Sequence, residues 1–283
     1  MHLYKTSKGN ILKQEAQFFS LNDDWDILIN QQNLHTHLLQ LCKTAKTIDE
    51  ESAMDFIDNY LLPPIGSQEV WAAGVTYLRS RDARMEESED TGAADCYQRV
   101  YEAERPELFF KSLPHRVAGH NEQVYIRKDS AWNVPEPELT LYINAAGNIQ
   151  AYSIGNDMSS RSIEGENPLY LPQAKMYERS TAIGPCLYIT DKPISLNTAI
   201  KMNIYRDGGK VFDDATTLSK MKRSLTELAG WLYNEMDFKQ GCFLMTGTCV
   251  VPPNEFTLKE GDVVNISIDG IGTLTNIISK KKQ

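Results

Sequence analysis

The sequence predicts an α+β protein, with a small mixed N-terminal domain over residues 1–68 and a larger β-rich domain over 69–283. Three observations carry this reading. From Glu69 onward, short β-prone runs recur between clusters of Gly, Pro, Asn and Asp, the punctuation of a sheet protein. Two of these stretches read as hairpins: "KMNIYRDGGKVF", turning at 207–209, and "VVNISIDGIGTLTNII", turning at Asp269 and Gly270. The first 68 residues instead mix a strand, "MHLYK", with helical stretches at "LHTHLLQLCKTA" and "DEESAMDFIDNYL", before "LPPIG" breaks the pattern. Within the β-rich domain, a helix is expected over "TTLSKMKRSLTELAGWLYNEM". There Leu218, Met221, Leu225, Leu228 and Leu232 recur at helical spacing, a stripe that reads as core and implies no chemistry.

Bulk properties narrow the function classes. A chain of 283 residues and 32.0 kDa can bury a substantial core. A net charge of −9 and pI ≈ 5.2 argue against nucleic acid or an anionic membrane surface as partner, and the three lysines at 280–282 are too few to change that. The N-terminus "MHLYKTSKGNILKQ" lacks the apolar stretch of a signal peptide, and no apolar run approaches the ~18 residues of a membrane span. Five scattered cysteines with no CxxC pair fit free thiols in a reducing cytoplasm.

The stretch with chemical content is "PEPELTLYI", residues 135–143. Glu136 and Glu138 point the same way from an extended chain, because strand side chains alternate. "ELTLYI" and "IQAYSI" flank the turn "NAAGN"; if it is centred between Ala146 and Gly147, ladder partners sum to 293, and Glu136 faces Asp157. Three carboxylates then share one face with no Lys or Arg among them, and such a cluster calls for a cation. Oxygen-only ligation favours Mg²⁺, then Mn²⁺ or Ca²⁺, over zinc. On the ExE spacing alone, two surface glutamates on a solvated strand are the simpler reading, and Pro137 suits an edge strand.

Four blocks in order, "PEPELTLYI", "GNDMSSR", "AKMYERSTAIGP" and "MTGTCVVPP", resemble the fumarylacetoacetate hydrolase superfamily over roughly residues 69–278. The resemblance implies a mixed β-roll catalytic domain with a small N-terminal domain, a homodimer or homotetramer, and a divalent metal, usually Mg²⁺, on Glu136, Glu138 and Asp157. It also implies a 2-oxo acid as substrate, chelated through its carboxylate and keto oxygen, with the cation stabilising the enolate that forms. The superfamily hosts hydrolases, decarboxylases and dehydratases, so the fold does not choose the reaction. In its hydrolases, the block matching "WAAGVTYLRSRDARMEES" carries a water-activating His. This chain has no His between His37 and His115, and His115 and His120 read better as loop residues. That block and "VYEAERPELFFK" look closest to the branch that dehydrates 2-dehydro-3-deoxy-D-arabinonate to 2,5-dioxopentanoate, a reaction that needs no hydrolytic His.

By the same resemblance, Lys175 is a base or a cationic clamp, and Glu107 the acid/base at C3–C4. Lys111 contacts the substrate carboxylate or a metal-bound oxygen, Arg84 and Glu87 orient sugar hydroxyls, and Gly247 and Thr248 offer a backbone N–H and a hydroxyl to the substrate carboxylate. Arg161 reads as an orienting partner of Asp157 or as a surface residue. A C–C hydrolase of acylpyruvates, a decarboxylase on the same metal, and a silent Ca²⁺-stiffened protein remain as alternatives.

Overall fold

The computed structural model describes residues 1–87 and 94–282. Its large sheet has 11 strands among the described residues, ten along one path and Val117–Ala118 off it, paired with Thr181–Tyr188. The N-terminal meander His2–Thr6, Gly9–Gln14, Gln17–Leu21, closed at its edge by Lys46–Ile48, joins through His2–Thr6 to Thr181–Tyr188. The order then runs Ile149–Asp157, Pro137–Ile143, Cys242–Met245, Glu69–Gly74 and Glu107–Ser112. A second, five-stranded sheet has the order Gly209–Thr217, Ala199–Arg206, Val263–Ile268, Gly272–Lys280, Glu122–Ile126. Both expected hairpins form. Asp207 and Gly208 take φ of 50° and 79°, the left-handed pair that a two-residue turn between twisted strands requires.

Alternation along the strands makes the layers. Leu139, Leu141 and Ile143 join Ile154 and Cys186 in a core shared with Met202, Ile204, Val264 and Ile266 of the small sheet. Tyr142, with Ala151, Ile183 and Phe243, faces the other way, onto Trp25, Leu28, Leu34 and Leu38 of the helices Trp25–Ile29 and Leu34–Leu41. The helix Glu50–Tyr60, N-capped by Asp49, covers Ile11 and Phe18 of the meander.

The helix expected over 216–236 is shorter than its apolar stripe. Thr216 and Thr217 end a strand, Leu218–Lys220 is a 3₁₀ turn, and the α-helix runs only Leu225–Tyr233. Ser224 sets its start through a capping box with Glu227, while Met221 bridges to Tyr77 and the Lys222 N–H bonds Thr76. Leu218, Leu228 and Leu232 still reach the core, so the stripe marked burial correctly across two different elements.

Candidate metal centre and catalytic pocket

Glu136 and Glu138 flank the start of the strand Pro137–Ile143, and Asp157 ends the strand beside it. The observed register, Pro137↔Asn156 through Tyr142↔Ala151, keeps the sum of 293, and the Asp157 N–H donates to the Glu136 carbonyl at 2.9 Å. A bulge at Ile143 absorbs the turn and leaves the functional end in phase. Pro137 lies in an interior strand, yet costs no ladder bond, because the neighbouring Cys242–Met245 strand pairs only from Thr140 onward. One oxygen from each of Glu136, Glu138 and Asp157 lies within 4.8 Å of the others, and all three residues are buried. The solvated-strand reading is therefore excluded.

The two paired strands place no Lys or Arg among these carboxylates; the fold brings three cationic side chains to them from elsewhere in the chain. Lys175 Nζ stands 2.5 Å from Glu136 Oε2, 3.1 Å from Asp157 Oδ2 and 2.5 Å from Ser159 Oγ. Lys111 Nζ pairs with Asp157 Oδ1 at 2.7 Å, and an Arg161 guanidinium nitrogen donates to Glu136 Oε1 at 3.1 Å. Burial works to raise the Asp157 carboxyl, but Lys111 and Lys175 outweigh it and hold it below the ordinary range. Burial likewise opposes charge on Lys175, yet Asp157 and Glu136 keep it an ammonium with a raised pKa. Glu138 has weaker help. Burial, then the charges of Asp157 and Glu136, push it well above the usual value, against Lys175 and a 2.6 Å bond from the Gly247 N–H. A hard divalent cation suits this site: three convergent carboxylates, no sulfur or imidazole donor, and one carboxyl whose ionised form lacks a full countercharge.

Glu107 lies beside the cavity wall at Gly74 and is not itself one of the lining residues. It pairs with Gly74 across two strands, and its Oε2 is buried without a hydrogen-bond partner. Gly74 is required there, since an added Cβ would sit 1.9 Å from that oxygen. Burial pushes the Glu107 carboxyl up; the Arg84 charge opposes this, and Glu164 adds to it. Arg84, on the helix Leu78–Glu87, is ion-paired with Glu164 of the helix Arg161–Glu166. Val75 lines the same wall at φ 53°, a conformation that costs a β-branched residue roughly 1–3 kcal/mol and that clusters at functional sites. The enclosed space at the triad is about 10 Å³, enough for one water-sized particle.

Residues 70–279 match the C-terminal domain of fumarylacetoacetate (FAA) hydrolase. The chain belongs to the fumarylacetoacetate hydrolase family. Within it, the probable 2-keto-3-deoxyxylonate dehydratase of Haloferax volcanii is 44% identical over 243 residues, 85% of this chain and 81% of that one. The 2-dehydro-3-deoxy-D-arabinonate dehydratase of Saccharolobus solfataricus is 38% identical over 230 residues, 80% of this chain and 76% of that one. A solved structure of 2-keto-3-deoxy-D-arabinonate dehydratase complexed with magnesium and 2,5-dioxopentanoate superposes with a TM-score of 0.83 at 29% identity, covering 100% of this chain and 99% of that one.

In this family member the expected residues separate into those that line the pocket and those that do not. Arg84, Glu136, Glu138, Asp157, Arg161, Lys175, Gly247 and Thr248 line it. Lys111 does not. Its ammonium is enclosed by the carbonyls of Met158, Lys175 and Ser180 and by Asp157, so it holds the ligand carboxylate from behind, where a substrate contact was expected. The Gly247 N–H is committed to Glu138, and Gly247 itself is obligatory, with φ 92° and Thr76 Oγ1 2.0 Å from an added Cβ. The Thr248 hydroxyl meets the Val250 carbonyl at 3.4 Å. The side chain of Glu87 lies outside the described residues. His115 is exposed, and His120 accepts from the Thr275 N–H; neither lines the cavity. Glu164 was missed, because a six-residue helix shows no periodicity; its one signal was its place three residues after Arg161.

Proposed function

We propose that this protein is a divalent-metal-dependent hydro-lyase that converts a 2-keto-3-deoxypentonate, 2-dehydro-3-deoxy-D-arabinonate, to 2,5-dioxopentanoate and water. The observation that carries this is the composition of the site: three convergent carboxylates able to hold a metal, the Lys175 ammonium, the Glu107 carboxyl pushed up by burial beside the lining residue Gly74, and no histidine among the described lining residues. The relatives support it, since both dehydratases act, by name, on 2-keto-3-deoxy pentonates. Within one D or L series, xylonate and arabinonate differ only at C2 and C3, the two centres that the 2-keto-3-deoxy acid has lost, so the two names converge on one compound.

Glu136, Glu138 and Asp157 would hold Mg²⁺, with Mn²⁺ or Ca²⁺ as substitutes. Bound there, the cation supplies electrostatic stabilisation of negative charge on a 2-oxo acid. Arg161 and Lys111 fix the orientations of Glu136 and Asp157, and the Gly247 N–H fixes Glu138. Lys175, whose ammonium meets Glu136, Asp157 and Ser159, is placed to act as a cationic clamp. Glu107 has its carboxyl raised toward the range where such a group both takes and returns a proton. It takes the C3 proton and returns it to the C4 hydroxyl, which departs as water and leaves a C3=C4 double bond conjugated to the keto group. Loss of a C5 proton and protonation at C3 then give the C4=C5 enol, which tautomerises to the aldehyde at C5. Hydrolysis of a C–C bond would require a water-activating base, and the described pocket residues offer no imidazole for it.

A homodimer or homotetramer accompanies this reading, as does a reducing cytoplasmic setting, consistent with free cysteines at 42, 96, 186, 242 and 249. The test is exhaustive chelation. Turnover of the 2-keto-3-deoxypentonate should disappear and return with Mg²⁺ or Mn²⁺, and Glu138→Ala should stay inactive at any metal concentration. Full activity in the chelated protein would end the reading.

A further inference from the structure

Among the described residues three cations line the cavity, and two of them, Arg161 and Lys175, are bound to the metal-ligand candidates. Arg84 is ion-paired elsewhere. An arginine available at that wall would be a receptor for a second carboxylate or a phosphate on the substrate, through the bidentate fork that suits such groups. Here that receptor is cancelled. Arg84 meets Glu164, and the two side chains are 6% and 1% exposed, so neither charge is screened by solvent. Glu164 also has an oxygen to spare: its Oε2 is buried without a hydrogen-bond partner, as is Oε2 of Glu107 nearby. A buried acceptor left unpaired is costly unless a ligand donor meets it.

We propose that Glu164 is a specificity-determining residue. By neutralising Arg84 and offering its open oxygen, it selects 2-oxo acids whose far end is uncharged and hydroxylated, against those that end in a carboxylate or phosphate. This rests on the dehydratase reading and adds the chemistry of the substrate tail. A hydroxyl both accepts and donates, so it can take an N–H from Arg84 and give its hydrogen to Glu164. A carboxylate can only accept, and it would meet the Glu164 charge. An alkyl tail satisfies neither partner. To admit a substrate tail at this wall, the contact between Arg84 and Glu164 must be given up or shared with the ligand. Only a hydroxylated tail replaces what Arg84 and Glu164 give up.

Binding calorimetry on the Mg²⁺-loaded protein tests this without requiring turnover, using two five-carbon probes, 2-oxovalerate and 2-oxoglutarate. Wild type should bind the monoanion more tightly. In Glu164→Gln the ratio should move toward the dianion by about tenfold or more, as the repulsion is removed and Arg84 is released. An unchanged ratio overturns the proposal. Should Glu164→Gln fail to fold, Arg84→Met/Glu164→Met replaces the pair with apolar side chains of similar length, a change buried pairs commonly tolerate. That variant should bind 2-oxovalerate about tenfold more tightly than wild type, because no charged pair has to be parted; equal affinity overturns the proposal. A wild-type protein that binds both probes but dehydrates nothing would sink the dehydratase reading and leave this ratio readable.

Discussion

Glu107 and Lys175 lie close enough for the Lys175 charge to act on Glu107, but they depend on different neighbours, which allows proton transfer and metal binding to be separated. Glu107→Gln keeps size and a hydrogen-bonding head while removing the titratable group. Because general acid–base catalysis is typically worth ~10²–10⁴-fold, kcat should fall by about that factor. Metal affinity measured by titration should stay at the wild-type value. Lys175→Met should also lose rate, but here metal affinity should rise, since an ammonium 2.5 Å from Glu136 has gone. Wild-type kcat in Glu107→Gln would return this residue to a structural role. Glu138 adds a pH dependence. Raised by burial, it keeps its proton in the folded, metal-free protein where the unfolded chain has released it. That contribution to stability is complete below the unfolded value, about 4.3, and is lost as pH rises through the raised folded value. Mg²⁺ needs the ionised form, so the rise in Tm produced by saturating Mg²⁺ should grow from pH 5 to pH 8 and flatten in Glu138→Gln. An Mg²⁺ effect that is constant across that range in wild type would contradict the assignment. The ligand carboxylates were legible in the sequence because a period of 2 and one turn fix their positions. The surroundings of Lys111 were not, since its partners Met158, Lys175 and Ser180 lie 47 to 69 residues away in sequence.

Among the elements, the pairing of Glu69–Gly74 with Glu107–Ser112 decides where the Glu107 carboxyl lies. A Cβ on Gly74 would stand 1.9 Å from Glu107 Oε2, the far end of a flexible side chain, and so displaces that carboxyl while leaving the backbone in place. Gly74→Ala should therefore fold with a near wild-type Tm and bind Mg²⁺ normally, yet lose kcat by at least ~10-fold, the lower end of the effect of a misplaced acid–base group. Normal turnover in Gly74→Ala would show that the position of Glu107 is unimportant. Elements marked by strong local chemistry were read well from sequence: the hairpins at Asp207-Gly208 and Asp269-Gly270, and the Asp49-capped helix. The stripe from Leu218 to Leu232 was over-read as one helix. Burial repeats there at helical spacing, but residues 221 and 222 bond to Tyr77 and Thr76 across the structure, and the helix begins only at its Ser224 cap. Short pieces such as Arg161–Glu166 carry too few residues for any periodicity, which is why Glu164 emerged only from the fold.

At the scale of the molecule, the candidate metal site lies where chain segments far apart in sequence converge: residues from 73–84, 136–138, 157–161, 175 and 247–248 line it, and Glu164 joins it through Arg84. No helix among the described residues is long and apolar enough to cross a membrane. The resemblance in sequence extended to the β-roll and the metal, and the family match covers residues 70–279. What it could not supply was the balance of charges inside the pocket, which depends on charged side chains arriving from four separate segments, at 84, 136–138, 157–164 and 175. The central claim is that this balance serves elimination of water with the carbon chain left intact. Mass analysis of the products formed by the Mg²⁺-loaded protein from 2-dehydro-3-deoxy-D-arabinonate tests it most directly. The expected result is a single five-carbon product lighter than the substrate by one water, with two carbonyl groups; pyruvate together with a two-carbon aldehyde would contradict it.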